Sequence, residues 1–324
     1  MGRRADARKG DVQRAKVREG DTPIMRDFLF VSFFLGHKKG DAARRLLSEC
    51  GLLETAMASP ANRNAWFGES HSGVSLRLPV EDSRLEALLQ RLQQRKVAPF
   101  TRLDREYSVR ELDSADWLVM RVATAGLWGG VDYGQQYERQ DACATCGAGA
   151  VPIAPLLADL NKMGKKPLDH LVYEGHLIAS RSLARGLERL GVTGFESLDV
   201  RTQRRPPSEN FVWLRIAGDF PRFDPSSTGY EIEDCCPACQ RAGHYGNWSQ
   251  GESPCAAVPT ANADMNLSWE YYGNWRQTRR TEDGWVPVGG FRAIVVSQKA
   301  RRAFIQLGVR RIVWVPMRTA PPAG

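Results

Sequence analysis

The chain has 324 residues, 42% of them hydrophobic, and a formal net charge of +8. This composition excludes a wholly disordered protein, because so much apolar side chain can form real cores, and the length suits two domains or one large one. The positive charge is spread along the chain, so it is weak support for a phosphate-binding face.

Residues 1–24 are rich in charge and nearly free of apolar side chains, with seven Lys and Arg against four Asp and Glu. They are predicted to form a disordered leader. The apolar run Phe28 to Leu35 is too short to cross a bilayer, so a buried strand is the better interpretation. Since no export signal is recognisable, we expect a cytoplasmic protein with reduced thiols.

Residues 25–108 are predicted to form a small α+β sandwich, with ferredoxin-like wiring as one expectation. The predicted elements are a strand over Phe28–Leu35, a helix over Asp41–Cys50, a strand over Val74–Leu78, a helix from Asp82 to Lys96, and a strand over Phe100–Leu103. Asp82 is the expected N-cap of the second helix. Its leucine stripe is interpreted as core: Leu85, Leu88, Leu89 and Leu92.

Residues 109–324 are predicted to form a larger α+β domain. Strands over Tyr107–Leu112 and Trp117–Val122 are predicted at its start. Within it a strand-helix-strand unit occurs twice, with Ser180 and Ser297 as N-caps 117 residues apart. Each helix is expected to end at a Leu-Gly-Val sequence. The predicted buried faces are Leu183, Leu187 and Leu190 in the first copy and Ala300, Phe304 and Leu307 in the second. A chance recurrence of so common a unit remains the alternative to two related halves.

Two short cysteine pairs precede these units, Cys143/Cys146 and Cys236/Cys239, 93 residues apart. Each C-x-x-C pair places two sulfurs on one side of a tight turn, and four thiolates suit one tetrahedral structural Zn²⁺. Cys235 and His244 remain alternative ligands on spacing alone.

Redox and disulfide chemistry are less favoured for these cysteines. A thioredoxin-like pair follows a strand, whereas Cys143 follows polar residues, and seven cysteines are an odd number. Cys50 is interpreted as a small core residue.

The order of motifs resembles the double-CxxCG-motif family of myxobacterial proteins over roughly residues 107–317. The resemblance rests on the following features in order: Trp128-Gly129, the cysteine pair ending in Gly147, the unit from Ser180 to Val192, the apolar strand from Phe211 to Ile216, the second cysteine pair followed by Arg241, and the final unit from Val295 to Pro316. It implies a cytoplasmic immunity protein that neutralises a cognate toxin. One departure is Gln240, which stands where the family has the second motif's glycine, and a left-handed backbone there would cost about 1 kcal/mol.

No catalytic constellation stands out in the sequence, so we expect a protein that is not an enzyme. Ser180 follows His170 and His176, but its N-cap role suffices and no Gly-x-Ser-x-Gly elbow surrounds it. Neither a phosphate loop nor a dinucleotide-binding fingerprint is present. A zinc ion with four thiolates also has no open position for a reacting water.

An aromatic and basic stretch follows the second cysteine pair. Interface hot spots favour Trp, Tyr and Arg, so a toxin-binding surface is predicted there. Its residues are Trp269, Tyr271, Tyr272, Trp275, Arg276, Arg279 and Arg280. The alternatives are self-packing of a loop-rich region and a zinc-ribbon-type nucleic-acid-binding protein that stacks bases on these rings.

Overall fold

The computed structural model describes residues 26–34, 40–58, 73–124, 126–172, 174–224, 227, 230–232, 234–246, 255–256, 263–273, 276, 278–281, 284–287 and 290–319. The predicted leader over residues 1–24 lies outside these residues. Helices and strands occur together in both predicted domains, so the α+β class is confirmed.

The first domain, in its described residues, combines a three-stranded sheet with three helices. These elements are β1 (Arg26–Phe34), α1 (Gly40–Glu49), α2 (Leu53–Ala58), β2 (Gly73–Pro79), α3 (Ser83–Gln94) and β3 (Phe100–Glu106). β1 lies in the centre, antiparallel to β2 and β3. The unit β2-α3-β3 is therefore a split β-α-β unit around β1. In the described part of this domain the sheet has three strands, whereas a ferredoxin-like domain has four.

The core of this domain joins one face of the sheet to the helices. Its strand and helix side chains are 1% exposed or less at Val31, Leu46, Leu47, Leu76, Leu78, Leu88 and Leu92. The Asp82 carboxylate accepts a hydrogen bond from the Arg84 amide at 3.0 Å, which confirms the predicted N-cap of α3.

A short helix, α4 (Val109–Ser114), stands where the sequence predicted a strand over Tyr107–Leu112, so that prediction is wrong. The reason is a capping box. The Ser108 hydroxyl accepts from the Glu111 amide at 3.2 Å, and the Glu111 carboxylate accepts from the Ser108 amide at 2.7 Å. These paired bonds satisfy amides at the helix start, and they outweigh the weak alternation of apolar residues.

The second domain contains the remaining elements. Up to the middle of the chain these are β4 (Trp117–Val122), β5 (Tyr137–Glu138), β6 (Val151–Pro152), β7 (Leu156–Leu157), β8 (Leu168–His170), β9 (Leu177–Ser180), α5 (Arg181–Arg189), β10 (Phe195–Arg201) and β11 (Phe211–Ile216), with 3-10 helices at Gly130–Tyr133 and Leu160–Lys162. The later elements are β12 (Gly218–Asp219), β13 (Tyr230–Ile232), β14 (Ala242–Gly246), β15 (Cys255–Ala256), β16 (Met265–Tyr272), β17 (Thr278–Thr281), β18 (Gly284–Pro287), β19 (Phe291–Ser297), α6 (Gln298–Gln306), β20 (Ile312–Pro316) and β21 (Arg318–Thr319).

Two large sheets organise this domain. The five-stranded sheet has the order β7-β10-β11-β9-β8, and the seven-stranded sheet has the order β13-β14-β16-β19-β4-β20 with β12 also paired to β16. Each sheet contains one of the predicted strand-helix-strand units, β9-α5-β10 or β19-α6-β20. Both units are split in the same way, because an antiparallel strand lies between their two strands: β11 in the first and β4 in the second.

These inserted strands reveal a repeat with exchanged first strands. β4 and β11 resemble each other in sequence, WLVMRV and FVWLRI, and each precedes a cysteine pair, by 26 residues from Trp117 to Cys143 and by 25 from Phe211 to Cys236. Residues 117–201 are called the first repeat and residues 211–316 the second. The opening strand of each repeat thus completes the sheet of the other.

Helices α5 and α6 pack against each other in one shared core. Ser180 and Ser297 cap them by accepting from the third following amide at 3.2 Å, as predicted. Leu183, Leu187, Ala300 and Phe304 are buried in this core, with Leu190 and Leu307 partly buried beside them. A Cβ added at Gly186 would lie 2.7 Å from Cδ2 of Leu307, so the helices approach closely there.

Across the described ranges, no helix has both the length and the apolar character needed to cross a bilayer.

Candidate metal centre

The two cysteine pairs occupy turns of the same shape, the first cysteine turn (Cys143–Gly147) and the second cysteine turn (Cys236–Gln240). In each, the amide after the pair donates to the carbonyl of the first cysteine, at 2.7 Å in the first turn and 2.9 Å in the second. The donating residues, Gly147 and Gln240, have φ of +76° and +58°. Gln240 therefore adopts the left-handed backbone that glycine adopts in the other turn, with the strain this imposes on a residue that has a Cβ.

Replacing Gln240 with glycine is expected to stabilise the protein by about 1 kcal/mol, because the left-handed strain disappears. In a domain of this size the melting temperature should rise by about 2–4 °C. Thermal unfolding of the purified variant measures this shift. Gly147→Ala is the matched opposite change, which should lower the melting temperature by a similar amount. Equal melting of all three proteins would contradict the account of strain.

The four sulfurs converge although the pairs are 93 residues apart. Sγ of Cys143 lies 3.9 Å from Sγ of Cys236, Sγ of Cys146 lies 3.5 Å from Sγ of Cys239, and all four lie within 4.8 Å of one another. A tetrahedron with metal–sulfur bonds of about 2.3 Å has edges of about 3.8 Å. A disulfide brings its sulfurs to about 2.05 Å, so the geometry fits a metal ion and not a pair of disulfides.

The surroundings of the cysteines favour thiolates at part of the cluster. Burial opposes ionisation of Cys143, but hydrogen bonds from the Cys146 and Thr145 amides outweigh it and lower the pKa of the Cys143 thiol to about 7. Burial raises the pKa of Cys146 and of Cys239. The amide of Arg241 also donates to Sγ of Cys239 at 3.5 Å. A metal cation at the centre would supply the positive charge that the buried sulfurs lack.

The two alternative ligands lie outside the cluster. Sγ of Cys235 donates to the carbonyl of Gln240 at 3.1 Å. His244 is 1% exposed, with Nδ1 3.1 Å from the Arg241 carbonyl and its ring edge-on to Tyr272. Neither joins the group of close sulfurs, so among the described side chains the candidate metal site consists of Cys143, Cys146, Cys236 and Cys239.

Two residues of the predicted partner surface are instead part of the interior. Tyr271 is 9% exposed, packs against the cysteines, and accepts a hydrogen bond on its hydroxyl from the Gly149 amide at 2.8 Å. Tyr272 is 1% exposed and packs in a core with Phe220 and Phe223. The prediction that these tyrosines form a contact surface is therefore wrong, because β16 is covered on both faces.

The other residues of the predicted partner surface differ from one another in exposure and in location. Trp269 is half-buried, with the guanidinium carbons of Arg222 and Arg241 at 4.9 and 5.7 Å from its ring centroid. Arg276 is exposed and forms an ion pair with Asp234. Arg279 and Arg280 lie on β17, and Trp275 lies outside the described residues.

His170 and His176 precede Ser180 in the sequence, but the three side chains do not form a nucleophilic triad. The Ser180 hydroxyl accepts a hydrogen bond from the Leu183 amide at 3.2 Å and lies 3.0 Å from the Ser182 hydroxyl. His176 instead stacks edge-on against Trp213, and His170 lies beside Thr124 and Asp169. The hydroxyl of Ser180 is therefore committed to capping α5.

No protein-family model matches this chain, and comparison with curated proteins finds no significant relative.

Proposed function

We propose that the four cysteines hold one structural Zn²⁺. The observation that carries this proposal is the approach of four sulfurs within 4.8 Å of one another from two turns of the same shape. Four thiolates match the preference of zinc for tetrahedral sulfur coordination. Such a site is coordinatively closed, so its role is to join the two repeats and not to activate a water.

We further propose that the zinc-joined domain is a non-catalytic cytoplasmic binding protein that neutralises a toxin. Its motif order resembles the immunity-type double-CxxCG family, and this resemblance supports the choice of partner. Trp269 with its flanking arginines, and exposed Arg276, provide side chains of the types that dominate protein interfaces. They replace the larger predicted set as the proposed contact residues.

Co-expression with candidate toxins encoded by neighbouring genes tests this function. The wild-type protein should restore growth and co-purify with the toxin. A Trp269→Ala variant should lose at least part of both effects while it keeps its zinc content, because an interface tryptophan commonly contributes more than about 1 kcal/mol. Failure of the wild-type protein to protect cells or to bind the toxin would refute the proposal. Retention of an oligonucleotide at low salt instead would favour the nucleic-acid alternative.

A further inference from the structure

A cavity of about 380 Å³ lies between the two large sheets, beside the first cysteine turn. Its volume falls in the range of sites that hold small molecules. Leu177 and Trp213 from the five-stranded sheet and Leu267 and Ile294 from the seven-stranded sheet contribute apolar lining. An apolar body could therefore lie between the sheets.

One end of the cavity is polar, and the Glu174 carboxylate there already accepts hydrogen bonds from the protein. Glu174 accepts from the Tyr137 hydroxyl at 2.5 Å and from the Val131 amide at 3.0 Å. Burial raises the pKa of Tyr137 well above its usual range, so its hydroxyl remains a donor at neutral pH. His176 lies 3.5 Å from the same carboxylate, and burial lowers the pKa of its imidazole. These groups occupy the oxygens of Glu174 with hydrogen-bond donors, although its negative charge remains.

Three arginines line the same cavity, and they differ in their partners. Arg292 pairs with Asp219, and Arg215 pairs with Glu196. The guanidinium of Arg139 lies 5.8 Å from the ring centroid of Tyr137, with no acidic partner among the residues that the structure describes. Arg139 therefore offers a guanidinium that is in no direct ion pair with a described carboxylate, at the polar end of the cavity.

We propose that this cavity binds a small amphipathic anion, with its apolar body between the sheets and its acidic group on Arg139. A guanidinium presents donors in a planar fork that suits carboxylate, sulfonate and phosphate oxygens. Two features together select this ligand class: apolar walls from both sheets, and a guanidinium whose hydrogen-bond donors are not held in a direct ion pair. The inference does not depend on the proposed partner or on the identity of the metal.

Two fluorescent probes of matched shape test the ligand class. Anilinonaphthalene sulfonate carries the required anion, and N-phenylnaphthylamine is its uncharged parent. Titration of the full-length protein should show one saturable sulfonate site, with the uncharged probe bound about tenfold more weakly because it lacks the charge-assisted bond to Arg139. Equal affinity for the two probes, or no saturable binding of the sulfonate, would overturn the proposal.

Variants locate the site. Arg139→Ala should weaken sulfonate binding about tenfold and leave the uncharged probe unaffected, whereas Arg139→Lys should retain part of the affinity. Leu267→Trp should block both probes by filling the cavity, and unchanged thermal unfolding would show that the fold is intact. Arg185→Ala, an exposed change on α5, is the matched control and should bind like the wild type. Sulfonate binding that is unchanged in Arg139→Ala would refute the assignment even if Leu267→Trp failed to fold.

Discussion

Replacing Cys236 with serine is expected to abolish stoichiometric zinc binding and to unfold the second domain. A structural zinc site contributes about 10–16 kcal/mol of apparent binding free energy at neutral pH. The whole free energy of unfolding of a domain is about 5–15 kcal/mol. Loss of one of four thiolates should therefore remove most of the stability of a domain whose two repeats meet at these four cysteines. Elemental analysis and near-ultraviolet circular dichroism measure the two effects.

Cys235 provides a matched control one residue away. Its thiol bonds to the Gln240 carbonyl and lies outside the sulfur cluster, so Cys235→Ser should keep one zinc per chain and a native spectrum. Two results would contradict the proposed centre. One is a Cys236→Ser protein with full zinc content and native melting, and the other is equal loss of zinc in both variants.

Truncating Phe304 to alanine is expected to lower the free energy of unfolding of the second domain by about 3–5 kcal/mol. Phe304 is fully buried in the core that α5 and α6 share, so its removal leaves a cavity at the contact between the repeats. Leu187 occupies the corresponding position 117 residues earlier, and Leu187→Ala should cost about 2–5 kcal/mol. Urea unfolding of each variant gives the differences.

The neighbouring side chain is the control for this prediction. Ile305 is 53% exposed, so Ile305→Ala should change the free energy of unfolding by no more than about 0.5 kcal/mol. Similar costs for Phe304→Ala and Ile305→Ala would show that the helices do not bury the face that the structure assigns to them.

Local sequence signals predicted much of the fold and the four cysteines of the candidate metal site. Ser180, Ser297 and Asp82 were recognised as N-caps because a side-chain oxygen and nearby amides interact within one helical turn. The four cysteines were identified for the same reason, since each C-x-x-C turn is a local structure. The capping box at Ser108 and Glu111 was equally local, and the strand predicted there shows that a short apolar alternation is the weaker signal.

Long-range features were less predictable. The burial of Tyr271 and Tyr272 depends on elements packed over both faces of β16, and neither tyrosine carries a local sign of that environment. The exchange of β4 and β11 depends on pairing between strands far apart in sequence. The similar sequences of β4 and β11 indicate a repeat, but they do not determine which strands each of them pairs with.

Exchange of the opening strands also affects the order of events during synthesis. Leu118 pairs with Val296 and Pro316, so β4 emerges from the ribosome long before the strands on either side of it. Until then its apolar residues need transient shielding, because contacts of such high sequence separation form late and slowly. The sheet that contains β4 can therefore be completed only after the second repeat has been synthesised, even though the helix and turns of the first repeat are encoded locally.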